Sequence, residues 1–327
     1  MDLGSSLSLA VSSFLSVPVL AFVLGVISVG LKADLRLPDP VYQATSIYLL
    51  LAIGLKGGVA LRASNAGDVA LPIVVAIGLG ILIPLLAFVF LKWSTKLNPI
   101  DRGAMAAHYG STSLVTFTAA LVFLESADVF YEGFMPTLLT VLEIPGIVVG
   151  LLLAYKFSQR TSDSRDWMRE VFFGKSVLLL LGGLIIGFLT GVQGYERVEP
   201  FFGGLFTGVL ALFLLEMGVL AGRRLPDVRT AGIGLIGFAI AFPLLAGSLG
   251  IVSGYFAGLS LGGAMILGVL CASASYIAAP AAVRLALPQA NPGITLTSSL
   301  GITFPFNLII GIPLYFIIAQ ALEGWLG

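Results

Sequence analysis

The chain has 327 residues, of which 58% are hydrophobic and only 10% charged, and its formal net charge is zero. Soluble domains carry about 25% charged residues, so this composition excludes an ordinary soluble fold and indicates an integral membrane protein. The balanced charge gives no reason to expect nucleic acid as a partner. A single cysteine, Cys271 in an apolar run, excludes a disulfide framework.

A helix that crosses a ~30 Å hydrocarbon core needs about 20 predominantly apolar residues. In chain order such runs fall near 12–31, 41–62, 69–92, 103–125, 131–155, 175–193, 202–222, 229–254, 261–284 and 296–321. No Lys or Arg precedes Lys32, so the first run lacks the basic n-region of a signal peptide and is expected to be a retained spanning helix. Ten spans place both termini on one side. The connections near 32–40, 93–102, 156–175, 223–229 and 284–295 then share the other side. They carry Lys32, Arg36, Lys92, Lys96, Arg102, Lys156, Arg160, Arg165, Arg169, Lys175, Arg223, Arg224, Arg229 and Arg284, which is 14 of the 17 basic residues. Arg62 and Arg197 lie on the first side and Lys56 lies inside a span. Positive charge marks the cytoplasmic side, so both termini are expected outside.

The two halves echo each other at an offset near 160. "LKGGVAL" (55–61) matches "LEMGVLA" (215–221), "IPLLA" (83–87) matches "FPLLA" (242–246), and "EIPG" (143–146) matches "TFPF" (303–306). "GSTS" (110–113) matches "ASAS" (272–275) in the same order. Five spans per copy is an odd number, so the second copy must enter the membrane inverted, as in many secondary transporters. The expected organisation is a first five-helix repeat over 1–157, a polar cytoplasmic linker over 158–174 and a second, inverted repeat over 175–327. In the linker Trp167, Val171 and Phe172 could lie on the membrane surface, although an ordinary solvated linker explains them as well.

Spans 4 and 9 hold the unusual chemistry. At 1.5 Å per residue, Gly110 to Ser113 lie roughly 11–15 Å from the cytoplasmic face, and Ser273 to Ser275 roughly 18–21 Å from the outer face. Two breaks rich in small and hydroxyl residues therefore converge near the midplane, where irregular backbone is tolerated only inside protein or along a cavity. The half-helix that leaves each break presents open N–H groups and a positive dipole end, suited to a small anion. Gly110 and Ala272 leave the backbone accessible, and Pro280 cannot donate to the carbonyl of Tyr276, which leaves an acceptor for a cation. Serines that merely bond their own backbone are the competing explanation for either break alone. The matched pair favours the ion pocket.

Glu143, beside Pro145, reaches similar depth, at about 18 Å into span 5. It fits either a cation site or a neutral, hydrogen-bonded carboxyl. Its repeat partner is Thr303, followed by Pro305 and Asn307. Lys56 and Glu216 are repeat partners too, but inversion places them roughly 12 Å apart in depth, so each is expected to snorkel to its own interface. His108 and Ser111 suggest a hydrolase dyad, but the second repeat keeps the serines without a histidine. A cap or gate role for His108 is the better expectation, and no transition-metal spacing is present.

"HYGSTSLVTF" (108–117), "LEIPGIVVGLLLA" (142–154), "IGLKGG" (53–58), "ASASYIAAPAAVRLALPQANP" (272–292) and "GITFPFNLIIGIPLY" (301–315) resemble the SbtA-type sodium-dependent bicarbonate transporters of cyanobacteria and other bacteria. The resemblance runs through both repeats. It implies an all-α membrane protein with gate and core domains, assembled as a homotrimer in the bacterial plasma membrane. It further implies bicarbonate bound between two broken helices and moved with Na⁺ by an elevator-like shift, part of a carbon-concentrating mechanism. By position Gly110, Ser111, Thr112, Ser273 and Ser275 match the family's anion site and Glu143 an acidic residue next to proline. With the reading of the breaks, the expected anion site is Gly110, Ser111, Thr112, Ser113, Ala272, Ser273, Ala274 and Ser275, and the expected sodium site Glu143, Tyr276, Thr303 and Asn307. Na⁺ is the coupling ion and no other cofactor is implied. A cytoplasmic PII-like regulator of the SbtB type is an implied partner. Tyr276 stands where the family pattern has an acidic residue, and the linker is short. The resulting expectation is Na⁺-coupled bicarbonate symport. A carrier of another small anion, such as a short carboxylate, is the rival within transport; a receptor or scaffold, or an enzyme, is the rival outside it.

Overall fold

The apolar runs fold into helices whose ends fall at the polar punctuation. A computed structural model describes residues 16–158, 169, 172–228 and 232–326. Within these residues lie α1 (Val17–Gly30), α2 (Asp39–Ala63), α3 (Ala66–Ser94), α4 (Pro99–Gly110), α5 (Leu114–Ser126), α6 (Met135–Ser158), α7 (Lys175–Glu196), α8 (Phe206–Val228), α9 (Ile233–Phe256), α10 (Leu261–Ala272), α11 (Ala278–Ala286) and α12 (Pro292–Trp325). No strand occurs among the described residues. Eight helices, counting α4 and α5 as one interrupted unit, are long and apolar enough to cross a membrane, and α1 and α10 are shorter apolar helices. Most of the linker, including Trp167 and Val171, lies outside the described residues, as do 12–15 of the first expected span.

One face of α3 exposes Leu71, Val74, Ile77 and Ile81 at helical spacing, the stripe a hydrocarbon solvent demands. Since lipid tails are as apolar as leucine, helices in such a solvent associate through close packing rather than hydrophobic burial. Small residues supply it at two crossings. In the first, Gly25 of α1 meets Gly218 of α8, and a Cβ on Gly218 would fall 2.1 Å from the Phe22 carbonyl oxygen. In the second, Gly54 and Gly58 of α2 meet Gly183 and Leu184 of α7. Similar contacts join α4 to α6 (Gly103 on Ala154, Ala107 on Gly150) and α9 to α10 (Gly250 on Gly268).

Polar groups tie helix starts together in two places. Asn98 caps α4 by accepting from the Asp101 amide, and the Asp101 carboxylate accepts from the Asn291 amide at 2.8 Å, just before α12. Ser260 caps α10, and its amide donates to the Glu132 carboxylate at 2.6 Å, just before α6. Each buried or half-buried carboxylate replaces a partner that a helix start lacks.

The late helices are less regular than their hydropathy suggests. The last one widens into π turns over Thr297–Thr303 and Asn307–Gly311, where Pro305 and Pro313 each remove a donor and crowd the carbonyl four residues back. Gly191 breaks α7 with φ of 62°, and Arg62 donates to the carbonyls of Phe188 and Leu189 at 3.2 and 2.8 Å. This gives Arg62 a structural role.

Glu216 corrects an expectation. Rather than snorkelling, it is buried; it accepts from the Leu37 amide at 2.7 Å and lies 3.8 Å from the Arg36 guanidinium. The α1–α2 connection folds over the carboxylate and neutralises it there. Lys56 is exposed and pairs with Glu125 at 3.8 Å rather than with Glu216.

The packing argument predicts the cost of added atoms. Gly58→Ala would place a Cβ 2.0 Å from the Leu184 carbonyl oxygen, whereas a Cβ on Gly78 meets nothing within 4 Å. Gly58→Ala should therefore destabilise the detergent-solubilised protein by about 1–3 kcal/mol. In thermal unfolding followed by size-exclusion chromatography, Gly78→Ala should match or exceed the parent protein.

Candidate functional site

The two breaks are laced to each other. After α4 ends at Gly110, Ser111 and Ser113 adopt extended backbone, and after α10 ends at Ala272, Ser273 does the same. Extended residues in a buried segment leave amides and carbonyls that need new partners. The Ser113 amide donates to Ser273 Oγ at 2.9 Å, and the Ser275 amide donates to the His108 carbonyl at 2.8 Å. Ser113 Oγ donates to the Tyr276 hydroxyl at 3.0 Å. The convergence expected from depth alone is thus a direct set of contacts 160 or more residues apart in sequence.

The outgoing half-helices are partly capped by the same serines. Ser113 Oγ accepts from the Thr116 amide at 3.2 Å, and Ser275 Oγ accepts from the Ala279 amide at 3.1 Å. Pro280 occupies the third position of α11, where its missing N–H costs no helical bond. Several serines therefore do both things that were weighed for them: they satisfy local backbone and bridge the breaks.

A small cavity of about 20 Å³ sits beside this junction. Its polar wall is Thr112, Ser113, Glu143, Ser275 and Tyr276, and Leu50 of α2 and Leu180 of α7 help close it. That volume admits a single water-sized group, so the junction is tightly closed. Five expected site residues line one space, contributed by both breaks and by α6.

The other expected positions fall around it rather than on it. Gly110 packs on Pro84, and a Cβ on Gly146 would strike its carbonyl oxygen, so Gly110 serves helix approach. Ala272 abuts Gly247, and its carbonyl accepts from Asn307 Nδ2 at 2.8 Å. Ser273 is the bridge already described, and Ala274 is buried beside it. Ser111 is buried with Oγ unpartnered among the described residues. Thr303 and Asn307 belong to a separate hydrogen-bonded cluster. Thr303 Oγ1 lies 2.6 Å from the Tyr109 hydroxyl and donates to the Ala239 carbonyl at 2.6 Å, while Asn307 Oδ1 accepts from the Tyr315 hydroxyl at 3.1 Å.

Glu143 differs from every other carboxylate discussed. It is buried, it lines the cavity, and no described residue donates to it or forms an ion pair with it. His108 is fully buried, with Nδ1 2.8 Å from the Ala104 carbonyl and Nε2 unpartnered. Neither ring nitrogen bonds Ser111, so the two do not form a nucleophile–base dyad in this structure.

Leu50 and Leu180 escaped sequence reasoning. Apolar residues inside apolar spans carry no local mark of a cavity; only the contact of α2 and α7 with the breaks identifies them.

Among curated proteins, an 88-residue stretch is 38% identical to CDP-archaeol synthase of Thermococcus gammatolerans, covering 24% of this chain and 52% of that protein. The chain thus spans about half the length of the curated relative it matches. The family model of the Na⁺-dependent bicarbonate transporter superfamily instead matches residues 18–320, nearly the whole chain. That extent takes in both helix breaks, Glu143 and the cavity, and the chain belongs to this superfamily.

Proposed function

We propose that this protein is a Na⁺-coupled bicarbonate symporter of the bacterial plasma membrane, with the anion at the junction of the two breaks and Na⁺ near Glu143. The observation that carries the reading is the shared cavity. Thr112, Ser113, Ser275 and Tyr276 line it together with Glu143, a buried carboxylate that makes no hydrogen bond or ion pair with any described residue. Small oxyanions are bound by such hydroxyls together with open amides at helix starts. A carboxylate in the membrane core is stabilised by a bound cation.

On this reading the chain crosses the membrane ten times in two inverted five-helix repeats, 1–157 and 175–327, joined by the cytoplasmic linker 158–174. Support comes from paired crossings: α1 on α8 and α2 on α7 exchange under a swap of the first two spans of each copy. The Asp101–Asn291 and Glu132–Ser260 ties exchange likewise, each joining the start of a broken helix to the start of the fifth span of a copy.

The proposed mechanism is an elevator in which a core of α3–α6 and α9–α12 slides against a gate of α1, α2, α7 and α8. The long-range hydrogen bonds named above all lie inside one set or the other, which favours two bodies. Leu50 and Leu180 offer the breaks an apolar surface without directional bonds to break on sliding. A homotrimer, a PII-like regulator of the SbtB type and a role in carbon concentration enter the proposal on the family resemblance. A short carboxylate is the alternative cargo, separated from bicarbonate by competition in proteoliposome uptake.

Three outcomes are expected. Glu143→Gln keeps the shape and removes the charge, so the Na⁺ concentration for half-maximal uptake should rise several-fold, with a smaller change in apparent anion affinity at saturating Na⁺. An unchanged Na⁺ dependence would move the cation away from Glu143. Ser275→Ala deletes one hydroxyl to a charged ligand, a loss of about 1.5–3 kcal/mol, so half-saturating bicarbonate should rise at least about tenfold. Wild-type affinity in that variant would remove Ser275 from the anion site. In a Cys271→Ala background, Asp227→Cys should react with impermeant thiol reagents only from the cytoplasm and Ala127→Cys only from outside. The reverse labelling of either position would overturn the ten-span orientation.

A further inference from the structure

A second cavity adjoins the one at the breaks. Its volume is about 330 Å³, and Leu50, Ile277 and Ala278 line both spaces. The remaining wall includes Tyr42, Gln43 and Ser46 of α2 and Lys175 at the start of α7. Tyr42 and Lys175 stand at the helix ends next to connections 31–38 and 159–174, which the distribution of basic residues assigns to the cytoplasm.

The chemistry of this wall is that of a hydrated anion route. It offers hydroxyl and amide donors, and Lys175 is the one side chain of fixed charge among the described residues of its lining. Lys175 makes no ion pair or hydrogen bond with any described residue, so no described carboxylate takes up its charge. The cavity has room for several waters besides a small anion. Low-dielectric walls concentrate the field of such a cation, which raises the local concentration of small anions at the mouth. Glu143, the ionisable group of the inner cavity, has the opposite sign and lies beyond the shared apolar wall.

Resting on the transport reading above, we propose that this cavity is the cytoplasmic vestibule of the anion route. Leu50 and Ile277 form its inner barrier. Lys175 is a positioning residue that gathers small monovalent anions at the mouth, so it acts on release and on rebinding from the cytoplasmic side. The ligand class is a compact monovalent oxyanion, and the role requires charge rather than a particular side-chain shape.

Ser46 lines the vestibule and reports on it without any transport measurement. With Ser46→Cys in a Cys271→Ala background, inside-out membrane vesicles are treated with methanethiosulfonates bearing either a sulfonate or a quaternary ammonium. The sulfonate reagent should react from the cytoplasmic side. Adding Lys175→Gln should slow it about threefold while the cationic reagent reacts as fast or faster, and adding Lys175→Arg should leave both rates near their starting values. Absence of reaction at position 46 would overturn the vestibule, and equal rates with and without Lys175→Gln would overturn the role of the lysine. Bicarbonate counterflow in the same vesicles gives the second readout. Lys175→Gln should raise the half-saturating concentration on the cytoplasmic face more than on the outer face, and equal shifts on the two faces count against a role confined to the mouth. If labelling behaves as expected while the parent protein carries no bicarbonate, the vestibule stands and the assigned cargo falls.

Discussion

Backbone groups that leave a helix inside a membrane have no water to turn to, and this constraint organises the molecule. Each stranded amide or carbonyl costs several kcal/mol unless protein supplies its partner. Here the two breaks supply partners to each other, Ser113 to Ser273 and Ser275 to the His108 carbonyl, and Asn307 of α12 serves the Ala272 carbonyl. Neither break could exist alone at that depth. Each break satisfies part of what the other leaves open. Close packing of α4 on α6 and α10 on α9 then fixes the four half-helices around the junction.

What the mutual bonding leaves unsatisfied is informative. Most buried polar groups are paired, yet Ser111 Oγ, His108 Nε2, Thr137 Oγ1, Arg102 Nε and the Glu143 carboxylate are not, among the described residues. Glu216 shows how this chain treats a buried carboxylate with a structural role: it receives an amide and a guanidinium. Glu143 receives neither, so a ligand is the missing partner under the proposed reading. Bicarbonate arriving beside an ionised Glu143 would meet a like charge in a low-dielectric space, and a cation between them converts that repulsion into attraction. Coupling to Na⁺ is then a consequence of the site's charge balance. Because Tyr276 supplies a hydroxyl and no charge, Glu143 is the only carboxylate among the cavity's lining residues.

Much of this was legible in the sequence because the bilayer imposes strong local rules. The apolar helices and the hydroxyl-rich interruptions are each set by neighbours within one segment, and the echo of "GSTS" in "ASAS" pairs the two breaks in the sequence. Five of the expected site residues line the cavity for that reason. Contacts between helices were not legible. Gly110 and Ala272 read as openings for a ligand but serve the approach of α3 and α9. Thr303 and Asn307 carry the right oxygens, and Tyr109, Ala239 and Tyr315 occupy them. Glu216 lies in the middle of its helix, and nothing local shows that the Arg36–Leu37 segment folds down on it.

The distribution of contact types bears on motion. Within each helix set the joints are hard: glycine-mediated backbone approach between α1 and α8 and between α2 and α7, and hydrogen-bonded ties at Asp101 and Glu132. Where α2 and α7 meet the breaks, the joint is made of leucines, while the far end of α2 meets the start of α6 closely through Gly57 on Pro136 and Ala60 on Gly133. Directional bonds resist displacement and have to be exchanged one by one, whereas an apolar contact can slide at nearly constant free energy as long as it stays covered. Lys56–Glu125 is the polar link named here between the two sets, and both partners are more than half exposed, so water replaces it at a cost of about 0–1 kcal/mol. An elevator requires two rigid bodies, a slippery seam and a site carried wholly by one of them. The hydroxyls and Glu143 all belong to the α3–α6 and α9–α12 set, and only the leucine covers belong to the other. Under the proposed elevator, the ions and the groups proposed to hold them would travel together, and the surface left behind would be the one that makes no directional bond to them.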